Sequence, residues 1–95
     1  MHTIWKFEVP PQETFTANLP KRARFLDVQV QKGAPWMWFL LDPEAEKIER
    51  KFVVLGTGHP APEAEKLTHL GTFQIYGGDL VLHVFEYDAL AAVRS

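Results

Sequence analysis

At 95 residues, with 46% hydrophobic and 13% aromatic positions, the chain has enough apolar material for one core and too little for two. Ten basic against twelve acidic residues give a formal charge of −2, which argues against a general nucleic-acid binder. The chain has no cysteine, so disulfides and thiolate chemistry drop out and a reducing cytoplasm is the expected setting.

No basic segment followed by a long apolar run opens the sequence, so no signal peptide is expected. No apolar run nears the ~20 residues of a membrane helix, and no membrane partner is expected. From Ile4 the first stretch alternates: Trp5, Phe7 and Val9 fall on one face, Lys6 and Glu8 on the other, as in a half-buried strand. Pro10-Pro11 ends it. A weaker run from Gln12 to Leu19 carries β-favouring threonines. Pro20-Lys21-Arg22 turns the chain into Ala23–Gln31, where Leu26, Val28 and Val30 share a face with Arg24, and Asp27, Gln29 and Gln31 share the other with Phe25.

Lys32-Gly33-Ala34-Pro35 reads as a hairpin connection. Trp36-Met37-Trp38-Phe39-Leu40-Leu41 is apolar on both faces, the mark of a central strand or of one covered by a second subunit. After an Asp42–Glu46 turn, Lys47–Leu55 alternates again, with Arg50 and Phe52 on one face and Lys51 and Val53 on the other. Ala61–Leu67 is a proline-bearing loop with room for one helical turn. Thr68–Tyr76 and Leu80–Tyr87 are strands joined by a turn at Gly77-Gly78-Asp79. A short C-terminal helix or tail follows.

Residues 1–95 are thus expected to form a single, mostly β domain: an antiparallel β-sandwich or partly open barrel of six to seven short strands. So thin a sheet leaves the Trp36–Phe39 stretch poorly covered, so a symmetric homo-oligomer, in the simplest case a dimer, is expected.

Gly56-Thr57-Gly58-His59-Pro60 follows the strand Phe52–Leu55 and gathers two glycines, a hydroxyl and an imidazole. Glycines let backbone N–H groups converge and let a ligand come close, which suits a phosphate or carboxylate. The spacing is not that of a P-loop, and a plain tight turn explains the glycines equally well. Arg50 and Lys51 just before it, with Trp36 and Trp38 as stacking surfaces, complete the candidate ligand-binding set; core or interface packing accounts equally for the tryptophans.

His2, His59, His69 and His83 lack close metal-ligand spacing, and no cofactor motif is present. His83, between Leu82 and Val84, reads as a core histidine or a pocket wall. Serine occurs only as Ser95, which removes a Ser-His-Asp hydrolase. No catalytic pair stands out.

In combination, Thr3–Pro10, Val28–Gln31, Phe52–Pro60, Gly71–Gln74 and His83–Glu86 resemble a family of small proteins found in phage and prophage genomes, of unknown function. The resemblance implies a small accessory protein in the host-cell cytoplasm that counters host anti-phage defence. It would act without turnover, by sequestering a phosphate-bearing nucleotide signal. The alternative it implies is inhibition of a host defence protein such as a nuclease, with a histidine phosphodiesterase as the third reading.

Overall fold

The alternating stretches become strands because each has one apolar set of side chains to bury and threonines, valines or aromatics that suit the pleat. The computed structural model describes residues 1–88. It holds β1 (Thr3–Glu8), β2 (Thr14–Pro20), β3 (Arg24–Gln31), β4 (Ala34–Leu41), β5 (Lys47–Gly56), β6 (Leu67–Ile75) and β7 (Leu80–Tyr87). Two short 3₁₀ turns, Ala64–Lys66 and Tyr76–Gly78, flank β6. The expected C-terminal helix or tail lies outside the described residues.

All pairings are antiparallel. One sheet has the order β1-β4-β3, the other β2-β5-β7-β6. The fold is therefore a mostly β, two-sheet sandwich. The Cα envelope measures 39 × 37 × 18 Å, its thin axis that of two stacked sheets. Among the described residues no helix is long and apolar enough to cross a membrane.

The core lies between the sheets. Met37, Phe39 and Leu41 point inward from β4 and meet Leu19, Phe52 and Val84 from the other sheet, all fully or almost fully buried. Phe39 touches Phe52 across the gap with ring centroids 6.2 Å apart, and Phe7 and Phe25 flank Phe39 edge-on. Such aromatic contacts add to the stabilisation from burial alone.

β4 is the central strand of its sheet, as its two apolar faces suggest. Only one face is in the core; Trp36, Trp38 and Leu40 point outward and are half-buried. One strand departs from simple alternation. A bulge between Phe25 and Asp27 turns Phe25 and Val28 inward and leaves Leu26 outside, 42% exposed. Strict period two had put Leu26 and Val28 on one face; the bulge adds one residue to β3 and resets the phase.

The sheets come closest between β3 and β6. A Cβ placed on Gly71 would lie 2.5 Å from Cγ1 of Val28, so only glycine allows this approach. On the far side of β6, Leu67–Ile75 pairs with β7 and delivers Phe73 and Ile75 toward the core.

Candidate functional site

β5, β6 and β7 all reach the same end of the sandwich. The chain leaves β5 at Gly56, and β6 hands over to β7 through Tyr76–Gly78. The connection from β1 to β2 crosses the same end, because Pro10 and Pro11 stop the first strand and the Val9 N–H donates to the Pro35 carbonyl at 2.9 Å. Between these segments the two sheets do not close. The opening is a cavity of about 710 Å³. Its walls are apolar: Val9 on one side, Val54, Phe73, Ile75 and Leu82 on the other. Pro10, Pro11, Pro35, Pro60 and Pro62 form its rim, with Gln12, Glu13, His59 and Tyr76 as the polar members. No lysine or arginine is among the described residues that line it.

The glycine-rich turn forms one lip. His59 N–H donates to the Gly56 carbonyl at 3.1 Å, and the imidazole packs against Gly56 so closely that a Cβ there would meet the ring at 3.1 Å. Gly58 takes φ 88°, which an L side chain rarely adopts; the space around it is open, so the backbone conformation sets the need for glycine. Across the mouth, Tyr76 is 75% exposed and takes φ 54°, an uncommon conformation for a bulky residue.

Of the sequence-derived candidates, Gly56 and His59 line this cavity. Thr57 points elsewhere. Its hydroxyl is 2.7 Å from Nε2 of His83, on the outer face of the four-stranded sheet. Nδ1 of His83 is 2.8 Å from the hydroxyl of Thr72, which in turn is 3.0 Å from Nε2 of His69. His83 is therefore neither a core histidine nor a wall of the cavity; β7 alternation turns it away from Leu82 and Val84, to the solvent side.

Arg50 and Lys51 point to opposite faces, as period two requires. Arg50 faces inward and is fully engaged. Its Nε and Nη2 bind the two oxygens of Glu86 at 2.6 and 2.7 Å, Nη1 donates to the Ala23 carbonyl at 2.7 Å, and the guanidinium lies 5.5 Å from the Phe39 ring centroid. Lys51 lies over the Tyr87 ring at 4.5 Å on the outside. Trp36 and Trp38 project from the other sheet, away from the cavity. The candidate set thus divides: Gly56 and His59 at the cavity, Gly58 exposed on the turn, Thr57 against His83 on the outer face of the four-stranded sheet, Arg50 and Lys51 by the far end of β7, and the tryptophans on the opposite outer face.

The loop after the glycine turn is held to β7. Glu63, at φ 56°, accepts hydrogen bonds from Lys66 at 3.0 Å and from the Tyr87 hydroxyl at 3.3 Å. The Lys66 ammonium holds the Glu63 carboxyl below its usual range, and Glu63 raises Lys66 in return. Among the described residues, no group of three histidine or carboxylate side chains could hold a metal ion.

Sequence reasoning fixed on the polar turn and missed the apolar wall beside it. A signal was present: the prolines at 10, 11, 35, 60 and 62 all fall in or next to connections, and the fold brings those connections to one end. The Thr57–His83–Thr72–His69 chain had no comparable signal, since strand pairing assembles it.

Residues 1–94 match the model of a domain of unknown function, DUF7352, and the chain belongs to that family. No curated protein and no solved structure matches it.

Proposed function

We propose that this protein is a non-enzymatic binding domain that takes a small, largely apolar or aromatic ligand into the open end of its sandwich. The observation that carries this reading is the cavity itself: about 710 Å³, apolar-walled and edged by a few polar groups. That size and lining are typical of small-molecule sites. His59 supplies a ring nitrogen for orientation, and Gln12 supplies an amide.

The reading favours the base or ring portion of a nucleotide-like signal over its phosphates. Phosphate recognition normally draws on arginine or lysine; Arg50 is committed to Glu86, and Lys51 lies outside the cavity. Capture of a host signal in an anti-defence setting, which the sequence resemblance implies, is kept as the biological form of this proposal. Binding is preferred to turnover because, among the described residues, no hydrogen bond joins two titratable side chains of the cavity lining.

NMR titration of the full chain with naphthalene, adenosine and adenosine diphosphate as probes tests the reading. Shifts for naphthalene and adenosine should cluster at Val54, Phe73, Ile75, Leu82 and His59, with no added affinity from the diphosphate and no change in any probe. Absence of shifts at these residues with all three probes, or conversion of the diphosphate, overturns it.

A further inference from the structure

The outer face of the three-stranded sheet has no role in the cavity, yet it carries an unusual set of side chains. Its middle row is Trp36, Trp38 and Leu40, on a strand whose other face is already in the core. The flanking strands add Ile4, 55% exposed, and the bulge residue Leu26. Strand register orders the remaining groups. Lys6 and Asp27 stand on either side of Trp38, Glu8 and Gln29 on either side of Trp36, and Ile4 and Arg24 on either side of Leu40.

We propose that this face is the interface for a second copy of the chain, with the two-fold axis running along β4. With Trp38 of one copy seated on Trp38 of the other, charge placement selects the axis. Rotation about an axis along β4 lays the β1 flank of one copy over the β3 flank of the other. Lys6 then faces Asp27 of the second copy and Asp27 faces its Lys6, while Trp38 stacks on Trp38. An in-plane axis across β4 through Trp38 would instead set Lys6 on Lys6 and Asp27 on Asp27, which like-charge repulsion disfavours. The face thus carries one cation and one anion, Lys6 and Asp27, that pair twice about this axis, while Glu8 faces Gln29 and Arg24 faces Ile4. A two-fold interface needs that self-complementarity.

In the single chain the Lys6 ammonium reaches across β4, 4.3 Å from the Trp36 ring centroid and 2.9 Å from the Gln31 amide oxygen. This contact shields the tryptophan when no partner covers it. Docking returns the flexible lysine to its own row and exposes Trp36 to the second copy. A protein with a net charge of −2 meets little general repulsion on pairing.

Sedimentation equilibrium of the full chain across the micromolar range, with circular dichroism to confirm folding, tests the proposal. The wild-type chain should be dimeric. Lys6→Glu and Asp27→Lys should each place two like-charge pairs in the interface and weaken association by about a hundredfold or more. An equimolar mixture of these two variants should recover a one-to-one dimer, because every pair is then opposite in sign. Asp27 also accepts the Val28 N–H and a Gln29 amide proton, so its variant has a route to misfolding. Gln29→Lys covers that case: it faces Glu8 of the second copy and should tighten the dimer. A monomeric wild-type chain, an unaffected Lys6→Glu dimer, or no tightening by Gln29→Lys would each overturn the proposal.

Discussion

The hydroxyl of Thr57 lies 2.7 Å from Nε2 of His83, so the glycine-rich turn is pinned to the middle of β7 from the side away from the cavity. An imidazole with one N–H can donate to one threonine and accept from the other, which gives the Thr57–His83–Thr72 chain a defined direction. Thr57→Val keeps the shape and removes the hydrogen bond. Stability should fall by about 1 kcal/mol, and the ring-nitrogen shifts of His83 should change in NMR spectra. If binding depends on the held position of His59, affinity for the adenosine probe falls in the same variant.

His59→Ala removes a polar group from the cavity lip without opening the core, since the residue is exposed. A neutral hydrogen bond is worth about 0.5–1.5 kcal/mol, so adenosine binding should weaken by up to about tenfold, with little change in melting temperature. Calorimetry and thermal melts on one sample check both.

Arg50→Met tests the opposite case. Arg50 and Glu86 retain only 16% and 23% of their side-chain exposure, and removing the guanidinium leaves both Glu86 and the Ala23 carbonyl short of donors. Loss of about 1.5–3 kcal/mol of stability is expected, with unchanged adenosine affinity in the folded fraction. Denaturant unfolding and NMR titration separate the two effects.

Gly71→Ala should destabilise by about 1–3 kcal/mol through overpacking against the branched, buried Val28. Val28→Ala in the same chain should recover part of the loss. A double-mutant cycle that showed simple additivity would contradict the contact.

Acid should loosen the loop after the glycine turn. The Glu63 carboxyl is held below its ordinary value by Lys66. Its contribution is therefore full above the unfolded-state carboxylate pKa, about 4.3, and is lost as pH falls through the lower folded value. Amide shifts of Glu63–Lys66 followed by NMR should move in that window, and Glu63→Gln should abolish the transition.

The fold was legible where one face of a strand had to be buried. Trp5 and Phe7, Phe52 and Val54, and Leu82 and Val84 all alternate as the sheets require. β3 was legible only in part, because a bulge at Phe25–Asp27 leaves no mark that a period-two count detects. The candidate site was less legible. Gly56 and His59 are local to one turn and reach the cavity. Arg50 could not be read correctly from sequence, since its partner Glu86 is supplied by β7 across the sheet. The cavity wall is made of ordinary strand residues, and only their convergence at an unclosed end distinguishes them.

The strand order has a kinetic consequence. β3 and β4 are joined by the Lys32-Gly33 turn, and β6 and β7 by Tyr76–Gly78, so both hairpins can form from neighbouring sequence. Thr3 pairs with Leu41 and Thr14 with Val53, partners far apart in sequence, and the Val9–Glu13 wall of the cavity is strung between those two strands. A molecule seated in the cavity therefore recognises the finished sandwich and neither hairpin alone. In stopped-flow experiments adenosine should slow the unfolding limb and leave the folding limb where it was; a faster folding limb would mean that the wall is in place before the barrier is crossed. With the folding limb unchanged, occupancy lengthens the life of the native protein without helping any chain to reach it.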